Sequence, residues 1–231
     1  MSTRKKFFFV FLFIILDAFL ITSFFVIRDA TMVNTISKET DKLASLDLAA
    51  DRFNLKTKTF GKYRVVEESM KSYLDNIALL LQKSLLIVKN PELTKILSYE
   101  NYQKDGPDFT NSFSFLEKSS SDFNTNIDSL INSLDDESIK NYGKKKISDD
   151  YYRKLFNKFM LRNDMEDKYK KTSQLLKDSK TNMNHIFEVS YNTLSFLVNH
   201  KDEWQLENNE IQFKTEELMN EYNSLIGSLK K

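Results

Sequence analysis

Residues 7–27 form a continuous apolar run, entered through Arg4, Lys5 and Lys6 and left through Arg28. Asp17 is the one charge inside it. At about 1.5 Å of rise per residue the run is about 31 Å long as a helix, close to the roughly 30 Å of a bilayer's hydrocarbon core. The spacing predicts a single transmembrane helix over 7–27, with the lipid bilayer as the first partner that the sequence implies. Three basic residues crowd the short flank at 1–6, whereas the distal flank opens with Arg28 beside Asp29 and stays mixed. This asymmetry predicts a cytoplasmic N-terminus and an extracytoplasmic remainder. A cleaved signal peptide shares the charged start and apolar stretch. Ile21-Thr22-Ser23 is a poor cleavage site, however, and the run continues through Phe24, Phe25, Val26 and Ile27, so an uncleaved anchor is expected.

Asp17 sits at the midpoint of the predicted span, where a charge costs roughly 2.5–3.5 kcal/mol on the insertion scale. Seventeen Leu, Ile, Phe and Val residues in the run, each contributing up to about −0.3 to −0.6 kcal/mol near the centre, outweigh it. Asp17, with Thr22 and Ser23, is therefore a candidate contact to another transmembrane helix, either a second copy or a different protein. The competing reading is a protonated aspartate without a partner.

The chain has no cysteine, which excludes a lipid-modified cysteine, disulfides and thiolate metal sites. Three of its 34 basic and one of its 33 acidic residues lie in 1–27, so the remainder is close to neutral and nucleic acid is not an expected partner. The bias towards Lys, Asn, Ile and Phe fits an AT-rich bacterial coding sequence. No asparagine stands in an N-glycosylation sequon.

Only two prolines and four glycines interrupt the chain, and such scarcity of breakers favours long helices. The expected fold class is all-α: the transmembrane helix, then an elongated antiparallel helical bundle with one small β-hairpin near the C-terminus. Residues 28–60 are expected to form a membrane-proximal stalk helix with a coiled-coil rhythm at Met32, Ile36, Leu43, Leu46, Ala50, Phe53 and Phe60, broken by Glu39. Residues 61–231 are expected to form the bundle.

Within the bundle, a helix is predicted over about 63–89, its later half apolar nearly all round from Ile77 to Val88 and hence a buried core helix. Asn90-Pro91-Glu92 has the makings of a helix start, opening a short helix to about Tyr102. The turn Lys104 to Asp108 precedes a helix to about Gly143, with Asp108 as its cap. Lys144, Lys145 and Lys146 then form a basic loop, a candidate contact for anionic surfaces, before Ser148 caps a long helix to Asn199. That helix is expected to kink or project in its charged middle, 162–180. Around Asn208-Asn209, the alternation Trp204-Gln205-Leu206 and Ile211-Gln212-Phe213 predicts a hairpin at about 203–213 whose apolar face packs on helices. A last helix is expected over about 214–229.

Catalytic signatures are missing from the sequence. His185 and His200 are fifteen residues apart, about 22 Å along one helix, too far to share a metal. Glycine-rich phosphate loops, nucleophile elbows and calcium loops do not occur. The expectation is a non-catalytic chain without cofactor or metal. It is a single-pass membrane protein presenting its bundle for protein–protein or envelope interaction, with a protein partner or self-association through the transmembrane helix and bundle. A sensory input subunit signalling through a transmembrane partner, and an envelope or cell-wall-binding protein, are the alternatives.

Overall fold

The structure, a computed structural model, describes residues 3–45 and 55–230, with side chains for 22–45 and 55–229. The chain is predominantly helical with one two-stranded antiparallel hairpin. It divides into two compact units: Met1–Asp75 with Ile139–Met165, and Asn76–Ser138 with Glu166–Lys231.

The first unit contains α1 (Thr3–Ser45), the first half of α2 (Gly61–Val88), most of α6 (Asp136–Lys146) and α7 (Asp150–Met160). α1 is one unbroken helix of 43 residues, about 65 Å long at helical rise. Met32, Ile36 and Leu43 are buried along its face, as the rhythm of three and four predicts. The expected stalk helix does not extend to residue 60, because 55–60 belong to no helix or strand and α2 begins at Gly61, whose φ of +60° suits a residue without a Cβ. The rhythm positions Leu46, Ala50 and Phe53 lie outside the described residues. α6 packs closely against α7: a Cβ on Gly143 would meet the ring of the fully buried Phe156 at 2.7 Å. Gly143 is therefore an interior helix position rather than the helix stop the sequence suggested.

The second unit contains the rest of α2, the short helices α3 (Pro91–Thr94) and α4 (Tyr99–Asp105), α5 (Thr110–Ser133), nearly all of α8 (Asn163–Asn199), the hairpin and α9 (Glu216–Gly227). α5 and α8 face each other through Phe123 against Phe187 and Phe113 against Tyr191. Asn124 and Asn184 exchange amide hydrogen bonds at 2.8 and 3.1 Å between the same helices. Strands β1 (Trp204–Glu207) and β2 (Glu210–Phe213) pair as expected, with Asn208 and Asn209 turning at φ of 52° and 64°. Trp204 donates its indole N–H to the Leu197 carbonyl at 2.7 Å and stacks on Phe109, and Phe213 meets Phe196 and Tyr222, so the hairpin's apolar face lies on helices.

Three local expectations are corrected. The predicted helix to Tyr102 is two short ones, because Ser98 caps α4 by accepting from Asn101 N–H. α5 is capped by Asp105, not Asp108: its carboxylate accepts from the Ser112 backbone at 2.7 Å and from Asn111, while Phe109 takes a left-handed conformation at the helix entrance. The long helix 149–199 is two, α7 and α8, parted at Leu161-Arg162, and Asp149 rather than Ser148 caps the first.

Candidate functional site

The first unit holds the residues of most functional interest, beginning where α1 leaves the apolar run. Phe24, Phe25, Val26 and Ile27 are 46–65 % exposed, four consecutive large apolar side chains pointing around the full circumference of the helix. Arg28 lies over the Phe25 ring at 4.7 Å and bonds Asp29 at 3.3 Å. Thr22 is exposed and Ser23 half-buried. Asp17 lies outside the residues whose side chains are described, as does most of the predicted span, 7–21. Among the described residues no helix is long and apolar enough to cross a membrane.

Beyond Arg28 the same helix carries Glu39 into the interior of the unit. Glu39, flagged by the sequence only as a break in the apolar rhythm, is 6 % exposed. Its partner Lys71, 2 % exposed, approaches at 3.0 Å from α2 and also reaches Glu67, one helical turn back, at 2.7 Å. Lys58, from the segment 55–60, donates to Glu39 as well. The Glu67 carboxylate further accepts the backbone N–H groups of Lys58 and Thr59 at 2.9 Å and the Thr59 hydroxyl at 2.7 Å, and Lys71 donates to the Lys56 carbonyl at 2.7 Å. One net-neutral cluster thus fastens α1, the segment 55–60 and α2 together.

The electrostatics fix its protonation. Burial alone would raise the Glu39 carboxyl, but the bonds from Lys58 and Lys71 outweigh it and hold the pKa below the ordinary value. Burial likewise opposes ionisation of Glu67, and Lys71 and Thr59 reverse it. Lys58 is raised by its bond to Glu39. Both acids are ionised with their oxygens occupied by donors, which suits a fastening and leaves neither as a general acid or base. The readable signal was the pair Glu67 and Lys71 at i,i+4, on a helix whose neighbouring Val66, Met70 and Tyr73 are core.

Beside this cluster, a groove of about 1180 Å³ runs between α1 and α7, lined by Ala30, Val33 and Ser37 on one side and Tyr151, Lys158 and Phe159 on the other. Arg162 at its end bonds Asp41 at 2.8 Å and Asp164 at 2.6 Å. The groove contains no nucleophile–base pair, and among the described residues no group of acids and histidines is placed to hold a metal.

Lys144, Lys145 and Lys146 do not form the expected loop: they are the exposed last turn of α6, where cations complement the negative end of the helix dipole, and Lys146 lies 5.8 Å from the Tyr142 ring. The two histidines make separate peripheral contacts in the second unit, His185 with the Ser228 carbonyl at 3.0 Å and His200 with Glu203 at 3.3 Å. No protein-family model, curated protein or solved structure matches this chain.

Proposed function

We propose that this chain is a single-pass membrane-anchored, non-catalytic protein that presents an extracytoplasmic helical bundle for protein–protein or envelope interaction. One observation carries the reading: Phe24 to Ile27 stand exposed on every side of α1, at the end of the apolar run on a helix that continues without a break to Ser45. Four consecutive uncovered large apolar side chains are unfavourable in water, at about 25 cal/mol for each Å² of apolar surface, and favourable in lipid. The groove between α1 and α7 supplies the surface beside the anchor that a protein partner would occupy.

A second reading, a sensory input subunit, is favoured by the buried cluster. Glu39 on the anchor helix is tied to Lys71, so displacement of α1 along its axis would pull on α2 as well.

The test of the anchoring uses the absence of native cysteine. Single-cysteine variants, Ser2→Cys and Tyr151→Cys, the latter at an exposed position, are expressed in the membrane and treated with a membrane-impermeant maleimide. Residue 151 is expected to label in intact cells and residue 2 only after permeabilisation, with the protein resisting carbonate extraction. Extraction by carbonate, or labelling of 151 only after lysis, would overturn the reading.

A further inference from the structure

Asp29, the first residue past Arg28, stands level with the starts of two other helices. Glu39 on α1 meets Lys71 on α2 at 3.0 Å, and Asp41 on α1 meets Arg162, just past α7, at 2.8 Å. Ten residues before the first pair lie Asp29 and Gly61, where α2 begins. Twelve residues before the second lie Asp29 again and Asp150, where α7 begins. At helical rise these stretches are about 15 and about 18 Å on both partners. Contacts at that level agree that the three helices run in one direction: Lys62 bonds Asp149 at 2.8 Å, Tyr63 meets Tyr152 edge-on at 5.0 Å, and Tyr151 lines the groove together with Asp29. Within this one compact unit, the starts of α2 and α7 therefore stand where α1 leaves the apolar run.

The unit's exposed apolar side chains gather at this end. Besides Phe24 to Ile27, Phe60 is 55 %, Val65 40 % and Tyr151 55 % exposed, each at or within about a turn of the two helix starts; among the described residues of the unit only Leu55 is a large apolar side chain exposed elsewhere. The turn that carries Phe60 is open, since a Cβ on Gly61 would meet nothing within 4 Å. Charge here is matched: Arg28 pairs with Asp29, Lys62 with Asp149, Arg64 with Glu68, and Arg153 and Lys154 with Asp150. Cations already held by carboxylates leave little excess charge to recognise phosphate, so apolar burial is the chemistry this end offers. Aromatic side chains just past a span are the ones that settle between acyl chains and headgroups.

We propose that the turn Phe60-Gly61-Lys62 is a membrane footing: Phe60 enters the acyl boundary of the bilayer that holds α1, while Lys62 and Tyr151 lie among the hydrated headgroups, a depth that a water-borne reagent still reaches. The footing rests on the anchoring by α1 and adds to it, because it fixes the first unit against the bilayer surface instead of leaving it to swing about the end of the span.

The experiment uses the full chain with one cysteine introduced at a time, Phe25→Cys, Tyr151→Cys or Lys42→Cys, each labelled with an environment-sensitive fluorophore. Each variant is reconstituted into vesicles of phosphatidylcholine, alone or mixed with phosphatidylglycerol, that contain a lipid with a nitroxide at the top of one acyl chain. The labels at 25 and 151 are expected to be quenched equally well in both kinds of vesicle. The label at 42, exposed on α1 about 20 Å beyond Asp29, is expected to stay unquenched. Adding Phe60→Ser should lower the ratio of docked to undocked protein at 151 about tenfold, the effect of returning much of one Phe side chain to water, with the label at 25 unaffected. Phe60→Trp, which keeps an aromatic ring there, should preserve the quenching at 151. Quenching at 25 without quenching at 151, or quenching at 151 that is indifferent to Phe60→Ser, overturns the footing and leaves the anchoring intact, whereas loss of quenching at both positions overturns both. Quenching at 151 that requires phosphatidylglycerol overturns the assignment to apolar insertion. A spectral change at 151 that follows protein concentration in micelles without nitroxide identifies a second copy as the occupant and also overturns the footing.

Discussion

Glu39 on α1 and Lys71 on α2 meet at 3.0 Å with 8 % and 3 % of their side chains exposed. Glu39 also accepts from Lys58, whose side chain is 59 % exposed. One acceptor with two cations of opposite exposure allows a clean contrast. Lys71→Met leaves two buried carboxylates without their shared cation, a loss of about 3–5 kcal/mol. Lys58→Met removes a pair whose cation is exposed to water and should cost much less than Lys71→Met. Urea denaturation followed by circular dichroism measures both, and similar losses for the two variants would contradict this partition.

The same cluster sets a direction with pH. Glu39 and Glu67 are both held below the ordinary carboxylate value of 4.5, with Lys58, Lys71 and Thr59 facing them. A carboxyl whose folded pKa lies below its unfolded one stabilises the fold fully above the unfolded value and loses that contribution as the pH falls through the folded value. Acid should therefore loosen the first unit progressively below about pH 4.5, with no comparable contribution from the pair between pH 6 and 8. Hydrogen exchange at the amides of Lys58 and Thr59, which both donate to Glu67, reports this directly. Protection at those two amides that survives unchanged to pH 2 would contradict it.

Helical periodicity made the first unit's apolar face on α1 legible, because Met32, Ile36 and Leu43 recur at the spacing that one helix face requires. The hairpin was legible for a stronger reason: Asn208-Asn209 tolerates positive φ, and strict alternation on either side fixes which residues share a face. The break between α5 and α6 was not legible, since no proline or glycine marks it, and the one between α7 and α8 was legible only as a kink or projection expected in the charged stretch 162–180, at whose start it falls. Leu134 and Leu161 each sit in the break and still continue the apolar pattern of the helix before them. The cluster around Glu39 escaped because its members come from three segments whose approach is a tertiary fact, and periodicity shows Glu39 only as an interruption. Composition misled on Leu79 to Val88, where Leu79 is 47 % and Leu86 71 % exposed: an apolar run says how much could be buried but not which side the rest of the chain covers.

Close approach of α6 and α7 makes a third prediction. Gly143→Ala would ordinarily favour a helix by about 1 kcal/mol. Here the added carbon meets Phe156 Cδ1 at 2.7 Å and Cε1 at 2.9 Å, and that ring is fully buried. Overpacking of this kind costs about 1–3 kcal/mol, which outweighs the propensity gain. The variant should unfold at lower temperature than the parent, and Phe156→Leu introduced alongside it should recover part of the loss. Thermal denaturation of the three proteins decides the matter.

In the second unit, Tyr102 and Tyr222 share a hydroxyl–hydroxyl bond of 2.9 Å, and both side chains are buried. Burial pushes both phenols above their ordinary value, so neither ionises near neutrality and one hydroxyl must donate to the other. Tyr222→Phe removes one partner and leaves the Tyr102 hydroxyl buried without an acceptor or donor, a cost of about 1–3 kcal/mol. Replacing both by Phe removes the bond and its unsatisfied remnant together while keeping the ring contacts of Tyr102 with Phe109 and of Tyr222 with Phe213. The double variant should therefore be more stable than Tyr222→Phe alone, although it has lost more polar atoms. A double-mutant cycle from urea denaturation measures this inversion, and simple additivity of the two single losses would show that the hydroxyls are not coupled.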